Sequence, residues 1–491
     1  MNQDQSGSAR GETYRTAGGH AVRLLTALHE PELQLTKALN DLDASLPSAD
    51  ALAAVGADCA IEDVTTTPDF HAGKPMPVGV ITQTRGFLMP HAIGNDIGCG
   101  MRSFVLPDVS EADITSRLPP LKRALRHVFF QGGRALALTG RQRRAILREG
   151  LIGFAETLNG NRTGLLSHYD RDQAERDLGH TCDLGAFLTD EIAPEFEDYC
   201  KGDDDLRNDA ILGSIGGGNH FVELQTVDSL ADGSAAHAFG LAKGQIIATV
   251  HSGSLGFGQN VGVTVRDRLR AAWANQPGAD HRILACNGPS GSIIEPYWRG
   301  LSNATNAAFA NRLFLGLGVA KALAEVLSRP VAHRLVYDAP HNVIWRDGDR
   351  FLHRKGACPA RGPVVMAGSA FAHVGEPVIL PGSMGDATWI LAGRGADRTL
   401  SSSAHGAGRR LTRQDARREP FARHDLHVVL PVDLDNPELK RRRDIVADLR
   451  GRLAEEAPNA YRPIESVVDA MAAADVVGPV AKLRPLITVK G

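Results

Sequence analysis

No uninterrupted apolar run in this chain reaches the roughly 18 residues that a membrane-spanning helix requires. The first residues, Met1 to Ser8, are polar and lack the apolar core of a secretory signal. The six cysteines, Cys59, Cys99, Cys182, Cys200, Cys286 and Cys358, are scattered and form no Cys-x-x-Cys pair. These absences predict a reduced, soluble, cytoplasmic protein with no membrane partner. Net charge is also small, −3, so the chain as a whole does not announce a nucleic-acid binder. Basic residues do gather locally, around Lys122–Arg148, at Arg417 and Arg418, and at Lys440–Arg443. A basic face for a phosphate backbone is one reading of these runs; ordinary solvated helix surfaces are the other. Neither an internal repeat nor a low-complexity tract is present.

What is there is a set of Gly-, Ser- or Asn-flanked polar clusters. Asp96 and Cys99 stand three apart among Gly94, Gly98 and Gly100. Asn219, His220 and Glu223 follow Gly216–Gly218, and His251 precedes a Ser-Gly-Ser turn. His341 adjoins Asn342, and His405 is followed by Gly406, Gly408 and Arg409. The Asp, Cys or His of each cluster brings a metal-ligating or nucleophilic atom. The small residues let backbone N–H groups approach an anion. Together they read as one metal–nucleotide site.

These clusters span residues 96 to 409 and must converge to act together. Length alone, 491 residues, would allow two to four domains, but convergence favours one large catalytic domain over 21–491, after a flexible leader at 1–20. Apolar spacing predicts helices over 31–56, Leu313–Leu327 and 462–476. Short apolar runs predict strands at Val78–Ile81, Arg102–Leu106, Gln245–Val250, Leu335–Tyr337, Pro377–Leu380 and Thr388–Leu391, several ending at the polar clusters. Residues 110–205 are charged and helical in pattern, an insertion or lid. The fold class is mixed α/β (α+β), built on central β-sheets.

Asp96, Cys99, His220, His251 and His341 make five candidate metal ligands, more than one tetrahedral ion needs and enough for two ions sharing the thiolate. Ligand type alone favours Zn²⁺. His405 offers an imidazole nitrogen, a competent nucleophile toward activated phosphorus. A lone histidine that only binds phosphate is the plainer alternative.

In order and wording, the clusters resemble the RtcB-type RNA ligases, from Asp69–Gly73 to Val489–Gly491, more weakly between Pro107 and Asp209 and scarcely before residue 60. The resemblance implies a ligase that joins RNA 3′-phosphate or 2′,3′-cyclic phosphate ends to 5′-hydroxyl ends, using GTP. It implies two Mn²⁺ ions bridged by Cys99, one also held by Asp96 and His220, the other by His251 and His341. It implies guanylylation of His405. A nucleotide pocket is implied at Asn219, Glu223, His341, Asn342, Pro381, Gly382, Ser383, Met384, Thr388, Gly406, Gly408, Tyr461 and Lys490, with Glu223 selecting guanine. An archease-like activator is a further implied partner. His71 and the trio His353, Arg354 and Lys355 lie in similar segments and are weaker candidates for RNA phosphates.

The sequence departs from that pattern at Leu255, where the family has Arg, and at Pro340, Asp386 and Thr388. Leucine cannot meet a phosphate, so Arg409 or Arg410 compensates or the handling of RNA ends is altered. A metal-dependent phosphoesterase on RNA termini, and a non-catalytic RNA- or ribosome-associated paralogue, are the alternative readings.

Overall fold

A computed structural model of the chain describes residues 11–491 apart from 27–31, 57, 159–162, 275–279, 420–425, 435 and 438–440. Two antiparallel-dominated sheets organise it. The larger runs, in spatial order, through Arg334–Pro340, Gly100–Leu106, Ile246–Ser252, Phe221–Leu230, Val477–Lys490, Thr388–Gly393 and Pro377–Pro381, with Val428–Val429 added beside Val477–Lys490. Its first and last strands lie against each other, so the sheet curls round its own apolar interior. The second sheet orders Gly11–Arg15, Ala21–Leu25, Ala60–His71, Val78–Arg85, Arg350–Lys355 and Asn342–Asp347. The chain crosses between the sheets at His341, from Arg334–Pro340 into Asn342–Asp347.

The expected helix at Leu313–Leu327 is the second half of a longer one, Ile294–Leu327. Its start is hidden in the sequence by Asn303, Asn306, Asn311 and Arg312, which interrupt the apolar count yet are buried. A helix apolar on all sides belongs in a core or in a membrane. This one is long and apolar enough for either, but 89% of its most apolar window is buried inside the fold. It is the central core helix.

The segment expected to be helical does form helices, Glu111–Ser116, Leu118–Phe130, Gly140–Glu156 and Arg171–Leu178. Ser110 with Asp113, and Thr139 with Gln142, close reciprocal capping boxes that start two of them. Leu118–Phe130 and Gly140–Glu156 pack on Ile294–Leu327, Glu111–Ser116 and Arg171–Leu178 pack on those two, and none of their described residues lines the central cavity.

Within the stretch 1–20 expected as a leader, the described residues form a strand and a turn. Gly11–Arg15 pairs with Ala21–Leu25 at the edge of the second sheet, because Val22 and Leu24 are buried beneath that hairpin. Residues 1–10 lie outside the described residues. Helix 31–56 is broken into Glu32–Ser45 and Ala49–Val55, with Ser48 capping the second. The expected strands all form, and the last helix runs Ile464–Ala473.

Candidate active site

Strand register gathers the polar clusters at one end of the larger sheet. Gly100 pairs with Pro340, placing Cys99 beside His341. His251 and Lys490 both pair with Phe221, the neighbour of His220. A cavity of about 610 Å³ opens there. Asp96, Cys99, His220, His251, His341 and His405 all line it, as do Asn219, Glu223, Asn342, Pro381, Gly382, Ser383, Met384, Thr388, Gly406, Gly408, Tyr461 and Lys490. Asp96 and Lys490, 394 positions apart in sequence, thus line one cavity.

Two donor sets form within it. Asp96, Cys99 and His220 are one, and Cys99, His251 and His341 the other, each with its ligand atoms within 4.8 Å of one another. Cys99 belongs to both. Its Sγ lies 3.3 Å from Nε2 of His220 and 3.3 Å from Nε2 of His251. His220 Nε2 is also 2.8 Å from Asp96 Oδ2, while its Nδ1 faces the Ile215 carbonyl at 3.0 Å. That carbonyl keeps the proton on Nδ1 and leaves Nε2 free to ligate. Gly253 makes room for the Asp96 carboxylate, since a Cβ there would stand 2.2 Å from Oδ1.

The electrostatics fit a cation. Burial holds the His251 and His341 imidazoles neutral, far below the usual histidine range, with neighbouring histidines and Arg312 adding to the effect. Burial and the adjacent Asp96 carboxylate push the Cys99 thiol well up. Nδ1 of His341 is buried and meets no partner. Neutral imidazoles, a carboxylate and a thiol that a cation would deprotonate form a donor set suited to divalent metal ions.

His405 stands just past the strand Ser402–Ala404, its ring 4.7 Å, centroid to centroid, from that of His341. Asp69 lies at 2.7 Å from its Nδ1. Asp69 is fully buried and accepts a second bond, at 2.6 Å, from the Thr67 hydroxyl. Burial works to raise the Asp69 carboxyl, but the His405 and Thr67 bonds outweigh it and hold it below the usual carboxylate range. Gly408 (φ +72°) lets the loop close over this pair, since a Cβ there would meet Arg462 Nη1 at 2.3 Å and Asp69 O at 2.6 Å. Sequence reasoning missed Asp69. It stood inside a matching segment, but nothing local tied it to a histidine 336 residues away.

Elsewhere the cavity is lined by a polar relay. Glu223 accepts from Gln225 Nε2 at 2.7 Å and from the Thr488 hydroxyl, and Gln225 also donates to Thr388 Oγ1 at 2.7 Å. Burial raises the Glu223 carboxyl to about 7, against the opposing bonds from Thr488 and Gln225. Lys490 Nζ donates to the His220 carbonyl at 3.1 Å. Tyr461 donates to Glu456 Oε2 at 2.6 Å, and Arg409 lies over its ring, 4.9 Å from the centroid.

The weaker basic candidates divide. His71 and Lys355 line the cavity. His353 and Arg354 do not. His353 Nε2 accepts from the Met89 N–H at 2.9 Å, and Arg354 packs over Trp345 and donates to the Ser402 hydroxyl. Both are structural. Leu255 lines the cavity at a left-handed φ of +52°. Of its two candidate replacements, Arg409 reaches the cavity with a buried Nη2 that has no partner. Arg410 is exposed and lies outside it. Arg413, which the motifs did not single out, also lines it.

Many of the surface basic runs are already paired. Arg417 meets Glu455 and Asp448, Arg442 meets Asp444, and Arg144 meets Asp203. Lys440 lies outside the described residues. The solvated-surface reading suits these better than a dedicated phosphate face.

Comparison with known proteins agrees with the geometry. The family model described as tRNA-splicing ligase RtcB matches residues 51–491. The chain is 30% identical over 452 residues to the tRNA-splicing ligase RtcB of Methanococcus maripaludis, covering 86% of this chain and 87% of that one. It is 30% identical over 441 residues to the RNA-splicing ligase RtcB of Mycobacterium tuberculosis, covering 86% and 96%. It is 32% identical over 450 residues to the tRNA-splicing ligase RtcB of Thermococcus kodakarensis, covering 86% of each. With the motifs, the match along most of its length and the converging donor sets, this chain belongs to the RtcB family of RNA-splicing ligases.

Proposed function

We propose that this RNA ligase is GTP- and Mn²⁺-dependent and works through a guanylylated His405. Asp69 keeps the proton on Nδ1 of His405, so Nε2 carries the lone pair, and that pairing is the observation that carries the proposal. In the first step Nε2 attacks the α-phosphorus of GTP. The N–P bond forms, the bond to the bridging oxygen breaks and pyrophosphate leaves. In the second, an oxygen of the RNA 3′-phosphate attacks the same phosphorus, and the P–N bond returns its electrons to His405. In the third, the RNA 5′-hydroxyl attacks the activated 3′-phosphorus and GMP leaves. A 2′,3′-cyclic phosphate is hydrolysed to the 3′-phosphate first.

Asp96, Cys99 and His220 would hold one divalent cation, and Cys99, His251 and His341 a second. When bound, such cations polarise phosphoryl oxygens and neutralise developing charge. Glu223, buried at the cavity wall, accepts the N–H groups that distinguish guanine from adenine. Asn219, Asn342, Ser383, Met384, Thr388, Tyr461 and Lys490 with the Pro381–Gly382 turn surround the nucleotide, and Gly406 and Gly408 let the backbone approach its phosphate. Arg409 takes the RNA phosphate that Leu255 cannot. The substrates are RNAs with 3′-phosphate or cyclic phosphate and 5′-hydroxyl ends, as in tRNA splicing or RNA repair, with an archease-like activator as partner and the cytoplasm as location.

Leu255 favours a second reading, a metal-dependent phosphoesterase on RNA termini that forms no covalent nucleotide. Incubation with Mn²⁺ and α-labelled GTP separates the two. Label that stays on the protein through denaturation supports the ligase, and its absence in metal-loaded protein with activator supports the phosphoesterase.

A further inference from the structure

Asn311 and Arg312 stand side by side in the most buried stretch of the core helix Ile294–Leu327, both with no solvent exposure. Placing a guanidinium and an amide there is costly unless they are engaged, and of their polar atoms only Arg312 Nη2 lacks a partner. Their partners are neither random nor local. Arg312 Nη1 donates to the Gly98 carbonyl at 2.6 Å and the Ser252 carbonyl at 3.1 Å. Its Nε donates to Asp338 Oδ1 at 2.8 Å. Gly98 immediately precedes Cys99, Ser252 immediately follows His251, and Asp338 lies three residues before His341 on the strand that delivers it.

Asn311 covers the rest. Its Oδ1 accepts the backbone N–H groups of Gly213 at 2.7 Å and Ser214 at 3.1 Å. Its Nδ2 donates to the Ser214 carbonyl at 3.1 Å, the Ser252 hydroxyl at 2.9 Å and the Gly253 carbonyl at 3.0 Å. The Ser252 hydroxyl in turn donates, at 2.8 Å, to the Ile215 carbonyl that orients His220. Two adjacent side chains therefore tie together the four segments that carry Cys99, His220, His251 and His341. Arg102 anchors the far side by pairing with both Asp338 and Asp177.

We infer that Asn311 and Arg312 are positioning residues for the cation-binding donors, fixing the spacing of four loops from a single rigid turn. This rests on the reading that those donors hold divalent cations. Groups that orient metal ligands typically change metal affinity about 10- to 100-fold when removed. Lysine at 312 would keep the charge but cannot fork across two carbonyls and a carboxylate.

Asn303 supplies the control. It sits on the same helix, is equally buried and makes the same kind of bonds, to Leu147 O at 2.9 Å and from the Ala193 N–H at 2.8 Å. It touches no donor segment. The test titrates Mn²⁺ into purified metal-free wild type, Arg312→Lys, Asn311→Ala, the milder Asn311→Ser and Asn303→Ala, following free Mn²⁺ by electron paramagnetic resonance, with Tm of each metal-free protein recorded alongside. The expected result is Mn²⁺ binding weakened about 10- to 100-fold in the 311 and 312 variants, with Asn303→Ala lowering Tm yet leaving Mn²⁺ affinity unchanged. Equal weakening in Asn303→Ala, or wild-type affinity in folded 311 and 312 variants, overturns the inference alone. Wild type that takes up no divalent cation overturns the cation reading, and this inference with it.

Discussion

Asp69 Oδ2 lies 2.7 Å from Nδ1 of His405, and the carboxylate that makes this bond is completely buried and held again by Thr67. The pair has the geometry of a base oriented by a buried carboxylate, in which the acid fixes the tautomer. Asp69→Asn preserves shape but removes the acceptor that keeps the proton on Nδ1. The expected loss in the rate of label transfer from GTP is about 10⁴-fold, by analogy with the effect of that change in a serine-protease triad. Single-turnover labelling measures it, and a loss under tenfold would leave Asp69 without this role.

Cys99 is the shared member of both donor sets. Its replacement by alanine is expected to abolish loading at both, whereas His220→Ala should empty one and spare the other. Elemental analysis after equilibration with Mn²⁺ reads the stoichiometry directly. Chelation of the wild type should likewise stop turnover while leaving its far-ultraviolet circular dichroism unchanged, because the donor loops are also held by Arg312 and Asn311.

Glu223 gives a pH prediction of definite sign. Its folded carboxyl is raised by burial from 4.5 to about 7. A raised carboxyl pKa means that the folded state binds the proton more tightly than the unfolded chain does. Stability is therefore lost as pH climbs from about 4.5 towards 7, and the loss is complete above about 7. Glu223→Gln should raise Tm relative to wild type at pH 8 and show no such gain at pH 4. The same variant should narrow the preference for GTP over ATP. Parallel Tm curves across that range would contradict the assignment.

Leu255 lines the cavity where the resemblance to RtcB-type ligases implies an arginine. Because Arg409 takes the RNA phosphate, Arg409→Ala is expected to raise KM for RNA bearing a 3′-phosphate by about 10- to 100-fold, the worth of one charged hydrogen bond, and Leu255→Arg added to it is expected to restore the KM. An unchanged KM in Arg409→Ala would contradict that role of Arg409.

The donors were legible in the sequence because each sits beside small residues at the end of a short apolar run, where local pattern carries the information. His251 is within the strand Ile246–Ser252, and His341 falls between two strands. What was not legible depends on distant pairing. Asp69 lies near the end of the strand Ala60–His71 and Arg312 within an apolar helix, and neither has a neighbour in sequence that explains it. The same helix misled at its start, because its buried asparagines satisfy loop backbone rather than solvent. The edge strand Gly11–Arg15 escaped notice because its polar, exposed residues read as a leader.

The most direct test of the central claim is denaturing electrophoresis of wild type and His405→Ala after incubation with Mn²⁺ and α-labelled GTP, with and without an archease-like activator. The account predicts a labelled protein band in wild type, lost on mild acid treatment as a phosphoramidate should be, and none in His405→Ala. No band in metal-loaded wild type under either condition, or a band that survives in His405→Ala, would contradict it.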